Sequence, residues 1–141
     1  MSNTGERLLA FDFGVRRIGV ATGNTVSGTS SALTTLQARG GGPPWSQIEQ
    51  ILDEWRVDRC LVGLPLHMDG SESEISGRAR QFADELRGRF TGPVDMVDER
   101  LSSFVAREQI QASERRARVG EVDAQAAKLL VDQWLHSRGR L

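Results

Sequence analysis

The sequence predicts an α/β fold in which a mixed five-stranded sheet carries helices on both faces. Two observations indicate this class. Segments with strand character fill much of the first 36 residues, and strands alternate with helical periodicity from residue 45 onward. Such alternation is typical of parallel strands joined by right-handed helical crossovers. The 141 residues, 38% hydrophobic and 26% charged, are expected to form one domain over residues 1–141, with residues 1–6 as a disordered tail.

Three strands are predicted at the start of the chain, over residues 7–13, 17–23 and 30–36. The first two segments are rich in apolar and β-branched side chains, and only residues 14–16 separate them. So short a connection favours a β-hairpin. The third segment is rich in threonine and serine. We therefore expect three successive antiparallel strands, which form the first half of the sheet.

The pattern then changes to that of alternating helices and strands. Apolar side chains recur at steps of three and four residues from Trp45 to Trp55, which predicts a helix that begins after Pro44. Short strands are predicted over residues 59–63 and 94–98. Both strands follow a helical segment, so that they are expected to lie parallel in the sheet.

Three further helices are predicted between and after these strands. Ser71 and Glu74 fit a capping box at the start of the first. Ser102 or Ser103 can begin the next, and the last runs from about residue 121 to residue 136. The positions of this last helix that are expected to face inward are Val122, Ala126, Leu129, Leu130 and Trp134.

Composition restricts the environment and the partners. The longest nearly apolar run, residues 60–66, is far shorter than the ~20 residues of a membrane span, and residues 1–6 do not resemble a secretory signal. The single cysteine, Cys60, can form no internal disulfide, so a reducing cytoplasm is expected. The net charge of −1 argues against a broadly basic surface. Any phosphate binding must therefore come from a local patch.

Carboxylates occupy three places where they suggest chemistry. Asp12 ends the first predicted strand, where an acidic side chain is costly unless a cation compensates it. Asp98 and Glu99, followed by Arg100, end the last predicted strand, and ligands gather at the carboxyl ends of parallel strands. Asp123 lies on the apolar side of the last helix, although the helix dipole alone also favours it there. Such a cluster suits Mg²⁺, and two ions about 4 Å apart can activate a water and stabilise a leaving phosphodiester oxygen.

Other motifs narrow the kind of site. The segment Gly63-Leu64-Pro65 is either a tight turn or the rim of a site, with Gly63 leaving space beside it. His67 and His136 lack the spacing of zinc ligands and are interpreted as structural or surface residues. The sequence contains neither a Gly-x-x-x-x-Gly-Lys phosphate loop nor a Gly-x-Ser-x-Gly elbow.

Four motifs in order carry a family resemblance. They are FDFGVRRIGVA at residues 11–21, VGLPL and MDGS within residues 62–71, DERLS at residues 98–102 and VDAQAA at residues 122–127. Together they resemble the motifs of the YqgF family of pre-16S ribosomal RNA nucleases, also described as Holliday-junction-resolvase-like proteins. Each motif is weak alone, but four in this order over nearly the whole chain are specific.

The resemblance implies an RNase H-like fold and a metal-dependent phosphodiesterase that trims the 5′ end of the 16S ribosomal RNA precursor. It implies that Asp12, Glu99 and Asp123 are the catalytic, metal-binding carboxylates, and that Asp98 shares or exchanges a role with Glu99. The implied cofactor is Mg²⁺, with Mn²⁺ as an alternative. His67 and Asn24 depart from the residues common in the family, which affects the substrate contacts more than the metal site.

A nucleic-acid-binding patch is predicted from arginines near the site. Its members are Arg16, Arg17, Arg100, Arg115, Arg116 and Arg118. For the last three, an ordinary solvated loop is an equally good interpretation. The expected partners are precursor 16S ribosomal RNA and the assembling small ribosomal subunit, with the chain as a monomer or a homodimer.

Three other functions compete with the ribosomal RNA nuclease. A resolvase that acts on branched DNA needs the same chemistry and usually a dimer. A nucleotide-binding kinase or ATPase of the actin and sugar-kinase type shares the hairpin that follows Asp12, but such proteins use two domains of this kind. A catalytically inactive nucleic-acid-binding module is disfavoured because all the candidate carboxylates are present.

Overall fold

One mixed sheet organises the chain, of which the computed structural model describes residues 5–38, 40, 42–99 and 119–138. Its strand order is β3-β2-β1-β4-β5. The strands are β1 (Arg7–Asp12), β2 (Arg17–Asn24), β3 (Thr29–Gln37), β4 (Arg59–Leu64) and β5 (Val94–Asp98). Strands β1, β2 and β3 are antiparallel neighbours, whereas β4 is parallel to β1 and β5 is parallel to β4. The predicted mixed five-stranded sheet is confirmed.

Helices α1 (Trp45–Glu54) and α2 (Glu74–Arg87) cover one face of the sheet. Leu9 and Phe11 of β1 point to this face and belong to the larger apolar core. The ring of Phe82 meets that of Phe11 edge-on at 5.4 Å and stacks on Trp45 at 5.2 Å between centroids. Because side chains alternate along a strand, the residues of β1 between these two must face the other way.

Helix α3 (Val119–Arg138) covers the opposite face. It packs against Leu8 and Ala10 of β1 through Ala127, Leu130 and Val131. Helices thus lie on both faces of the sheet, as predicted. Strict alternation from Leu8 and Ala10 also places Asp12 on the face that α3 covers.

Small residues on β2 let α3 approach the sheet closely. Ala21 is fully buried beneath the helix. A Cβ added to Gly23 would lie 2.4 Å from Cγ1 of Val131, a distance too short for any side chain at this position. Four residues of α3 are buried, and they recur at steps of three or four along one side of the helix: Ala124, Ala127, Leu130 and Val131.

The observed inner stripe of α3 corrects part of the prediction. Leu130 is buried and Trp134 packs against the same core, as expected, but Ala126 and Leu129 are only half-buried. Close packing on the small residues of β2 favours the alanines at positions 124 and 127 over the larger Leu129. Val122 lies outside the side chains that the structure describes, as do the whole of the helix predicted from Ser102 or Ser103 and residues 1–4 of the predicted tail.

A cluster of charges and one aromatic ring fixes the far end of α3. Arg59, the first residue of β4, donates to Asp95 at 2.7 Å and to Glu6 at 3.1 Å. Its guanidinium lies 5.5 Å from the ring centroid of Trp134, and that of Arg138 lies 4.9 Å from the same centroid. The hydrogen bond to Glu6 is the largest cause of the raised pKa of Arg59. The carboxyl-terminal half of α3 is therefore held at the end of the sheet where β4 begins, opposite the carboxyl ends of β1, β4 and β5.

The start of α2 differs from the predicted capping box, which paired Ser71 with the residue three positions later. Helix α2 instead begins after Ser73, whose backbone N–H donates to Oγ of Ser76 at 3.0 Å. The buried Ser76 hydroxyl in turn donates to the carbonyl of Pro65. Ser71 belongs to the preceding turn, where its N–H and hydroxyl both donate to Asp69. The contact with Pro65 favours the later start because it satisfies a buried hydroxyl.

Across the described parts of the chain, no helix combines the length and the apolar character that a bilayer span requires.

Candidate active site

Asp12 lies between two glycines at the edge of the sheet where β1, β4 and β5 end. On one side it pairs with Gly19 of β2. On the other side Phe11 pairs with Val62, so that Asp12 and Gly63 are the next residues of the two parallel strands. Neighbouring strands lie about 4.8 Å apart. Both glycines therefore lie within one strand spacing of the half-buried Asp12, and neither adds a side chain that would cover it.

The space above Gly19 is filled by the backbone of α3. A Cβ added to Gly19 would lie 1.9 Å from the carbonyl oxygen of Asp123 and 2.3 Å from its carbonyl carbon. Only glycine permits this approach. The contact brings Asp123, whose side chain is 24% exposed, next to the strand position that pairs with Asp12.

The space above Gly63 is filled by Glu99. A Cβ at Gly63 would lie 2.6 Å from Oε1 of Glu99 and 3.0 Å from Cδ1 of Leu130. Leu130 belongs to α3, so the Glu99 carboxylate lies on the face of the sheet that α3 covers. Gly63 thus leaves space beside it, and the Glu99 carboxylate occupies that space.

Asp98 and Glu99 lie on different faces of the sheet. Val97 packs with the α3 core, whereas Val94 and Met96 pack with the core under α1 and α2. Alternation along β5 therefore directs Asp98 toward α1 and α2. Glu99, the residue after β5, instead lies over Gly63 on the α3 face. The sequence left these two carboxylates as alternatives; the structure places Glu99, not Asp98, on the same face as Asp12 and Asp123.

Asp123 makes an ion pair that sequence reasoning missed. Nε of Arg17 donates to Oδ2 of Asp123 at 2.8 Å, across 106 residues of sequence. Arg17 opens β2, and alternation puts it on the same face as Gly19 and Ala21. The predicted nucleic-acid-binding arginine and the predicted metal-binding carboxylate therefore contact each other directly.

The donor chemistry of this edge fits a hard divalent cation. Carboxylate oxygens from β1, from the residue after β5 and from α3 face one side of the sheet, and such oxygens are the ligands that Mg²⁺ prefers. In their present positions, no three His, Cys, Asp or Glu side chains among the described residues are close enough to hold a metal ion together. At Asp123 the positive charge comes instead from the guanidinium of Arg17.

The loop after β4 frames the same edge. Pro65 is fixed by the hydrogen bond that its carbonyl accepts from Ser76 of α2. His67 is exposed, which agrees with its interpretation as a surface residue. Hydrogen bonds from Ser71 hold the pKa of Asp69 below its usual range. The same hydrogen bonds connect Asp69 to Ser71 and stabilise the turn.

The predicted arginine patch is only partly described. Arg16 is exposed on the β1–β2 hairpin, and Arg17 is 40% exposed beside Asp123. The other members, Arg100, Arg115, Arg116 and Arg118, lie outside the described residues.

The role of Gly19 in letting α3 approach the sheet was not predicted from the sequence, although a glycine inside a strand is a known signal of close backbone approach.

A solved structure with this architecture defines the class of fold. The chain is similar to RuvC of Thermus thermophilus, solved in complex with a Holliday junction substrate, with a TM-score of 0.56. Identity is 13%, and the match covers 95% of this chain and 96% of that chain. The likeness confirms the predicted RNase H-like α/β fold.

The family follows from sequence. Residues 6–137 match the family model described as "RuvX: Holliday junction resolvase", and the chain belongs to that family. A relative from Marinobacter nauticus, named "Putative pre-16S rRNA nuclease", is 49% identical over 131 residues, 92% of each protein. A relative of the same name from Pectobacterium atrosepticum is 43% identical over 140 residues, 98% of this chain and 99% of its own. The resemblance carried by the four motifs is confirmed.

Proposed function

We propose that this chain is a divalent-metal-dependent endonuclease that processes the 5′ end of precursor 16S ribosomal RNA. The observation that carries the proposal is the approach of Asp12, Glu99 and Asp123 to one face of the sheet, with Gly19 and Gly63 making the room. The names of the curated relatives support ribosomal RNA as the substrate.

Each carboxylate has a distinct task in this proposal. Asp12, central between its two glycine neighbours, would hold the metal together with Glu99 and Asp123, which approach from the β4 side and the β2 side. When bound, Mg²⁺ or Mn²⁺ would supply the activation of a water and the stabilisation of the leaving oxygen. The backbone of α3 holds Asp123 against the sheet, so that this ligand is positioned by packing and not by a loop.

Substrate binding is assigned to the arginines around this edge. Because the net charge of the chain is −1, attraction of RNA depends on a local concentration of guanidinium groups. The proposed contacts are Arg16, Arg17, Arg100, Arg115, Arg116 and Arg118. The assembling small ribosomal subunit in the cytoplasm is the proposed setting, with the chain acting as a monomer or a homodimer.

The decisive experiment is a cleavage assay on precursor 16S ribosomal RNA with and without Mg²⁺. We expect metal-dependent cleavage by the wild type and a decrease of at least about a hundredfold for Asp12→Asn, because metal stabilisation of the transition state contributes several kcal/mol. Asp53→Asn, on the exposed side of α1, makes the same charge change and is expected to cleave normally. Equal activity of Asp12→Asn and Asp53→Asn would remove Asp12 from the mechanism.

A second candidate function is resolution of branched DNA. The description of the family and the fold shared with RuvC favour it. A four-way DNA junction assayed beside the RNA separates the two: cleavage of the junction alone, in paired cuts, would replace the RNA proposal with this one. Binding of both substrates without metal-dependent cleavage of either would indicate an inactive binding module.

A further inference from the structure

The ion pair of Arg17 and Asp123 is fixed from both sides. The β1–β2 hairpin is tight: a Cβ at Gly14 would lie 2.5 Å from the carbonyl oxygen of Arg17. On the other side, the backbone of Asp123 lies directly against Gly19. Two well-positioned backbones thus bring the guanidinium to 2.8 Å from the carboxylate.

The pair joins a positive charge to a carboxylate that the proposed function needs for metal binding. Oδ2 of Asp123 accepts from Nε of Arg17. A divalent ion that used this oxygen would place two positive groups within a few ångströms of each other, which is unfavourable in a half-buried setting. Arg17 and the metal ion are therefore competitors for one carboxylate.

We propose that Arg17 is an internal counter-ion that occupies Asp123 until a divalent ion displaces it. The proposal rests on the proposed metal site. While no metal is bound, Arg17 holds the Asp123 carboxylate near the carboxyl end of β1. Arg17 leaves the carboxylate when the ion binds. Its side chain is 40% exposed, so the released guanidinium can turn to solvent or to a substrate phosphate without burying an unpaired charge.

The consequence is that removal of Arg17 strengthens metal binding. Partly exposed ion pairs contribute about 0.2–1 kcal/mol, which corresponds to about a 1.4- to fivefold tighter affinity for Mn²⁺ in Arg17→Gln. The neighbouring Arg16 lies in the turn just before β2 and is exposed. Arg16→Gln removes the same charge from nearly the same place and is the matched control for long-range electrostatics.

The test measures binding of Mn²⁺ alone to the full chain, by electron paramagnetic resonance of the free ion at fixed pH and salt. Arg17→Gln should bind Mn²⁺ more tightly than both the wild type and Arg16→Gln, with circular dichroism showing that all three are folded. In an Asp123→Asn background, Arg17→Gln should change the affinity no more than Arg16→Gln does. That last result would show that Arg17 acts through Asp123.

Two results would overturn the inference. One is equal Mn²⁺ affinity of Arg17→Gln and Arg16→Gln; the other is weaker binding in Arg17→Gln. If no variant binds Mn²⁺, the inference fails together with the proposed metal site. If Arg17→Gln binds Mn²⁺ more tightly but the wild type cleaves neither substrate, the counter-ion role stands and the proposed nuclease function fails.

Discussion

Replacement of Gly19 by alanine tests whether α3 must touch β2 for the site to form. A Cβ at this position would lie 1.9 Å from the carbonyl oxygen of Asp123, and real Cβ atoms do not approach other atoms more closely than 3.0 Å. The start of α3 must therefore move away from the sheet by about 1 Å or more. The obstacle is backbone on both sides, so no side-chain rotation can relieve it.

Two measurable effects follow from this displacement. Overpacking of a tight interior costs about 1–3 kcal/mol, which lowers the melting temperature of a domain of this size by about 3–10 °C. A shift of about 1 Å in a catalytic group is expected to decrease cleavage about a hundredfold. Differential scanning calorimetry and the RNA cleavage assay measure the two effects separately.

Gly77→Ala is the matched control. Gly77 lies on the exposed side of α2, and a Cβ there meets no atom within 4 Å. Because alanine is favoured over glycine inside helices by about 0.5–1 kcal/mol, this variant is expected to be slightly more stable and fully active. If Gly19→Ala behaves like Gly77→Ala in both assays, the close contact between α3 and β2 does not control the site.

Two further predictions concern other buried positions. Gly63→Ala should decrease cleavage about tenfold or more, because the new Cβ displaces the Glu99 carboxylate. It should lower the stability less than Gly19→Ala does, because the displaced group is the flexible end of a side chain. Normal cleavage by a folded Gly63→Ala would contradict the role of Glu99. Burial raises the pKa of the Cys60 thiol, so it should react with a disulfide reagent at pH 8 only at the rate of unfolding; rapid labelling of the native protein would show that β4 is more accessible than the structure indicates.

The strands of this fold could be predicted because each one is marked locally. Runs of apolar and β-branched residues and a short hairpin connection define β1 and β2, and the short apolar run that begins at Cys60 defines β4. The candidate carboxylates could be found because Asp12 and the pair at residues 98–99 end strands. None of this required knowledge of which elements touch.

What could not be predicted depends on contacts between distant segments. The ion pair of Arg17 and Asp123 spans 106 residues, and no local pattern marks it. The choice between Asp98 and Glu99 follows from alternation only after α3 is known to cover one particular face. The start of α2 was predicted incorrectly for the same reason. It depends on the hydrogen bond that Ser76 donates to the carbonyl of Pro65, which lies in the loop after β4.

The anchoring of α3 at its far end has a mechanical consequence. From Asp123 to Arg138 the helix extends about 22 Å at 1.5 Å per residue, and Trp134 is held between two arginines near that end. At the other end the backbone of Asp123 lies against Gly19, and between the two ends Ala127, Leu130 and Val131 pack on the sheet. The position of Asp123 is therefore set by the packing of the whole helix and not by its first turn alone.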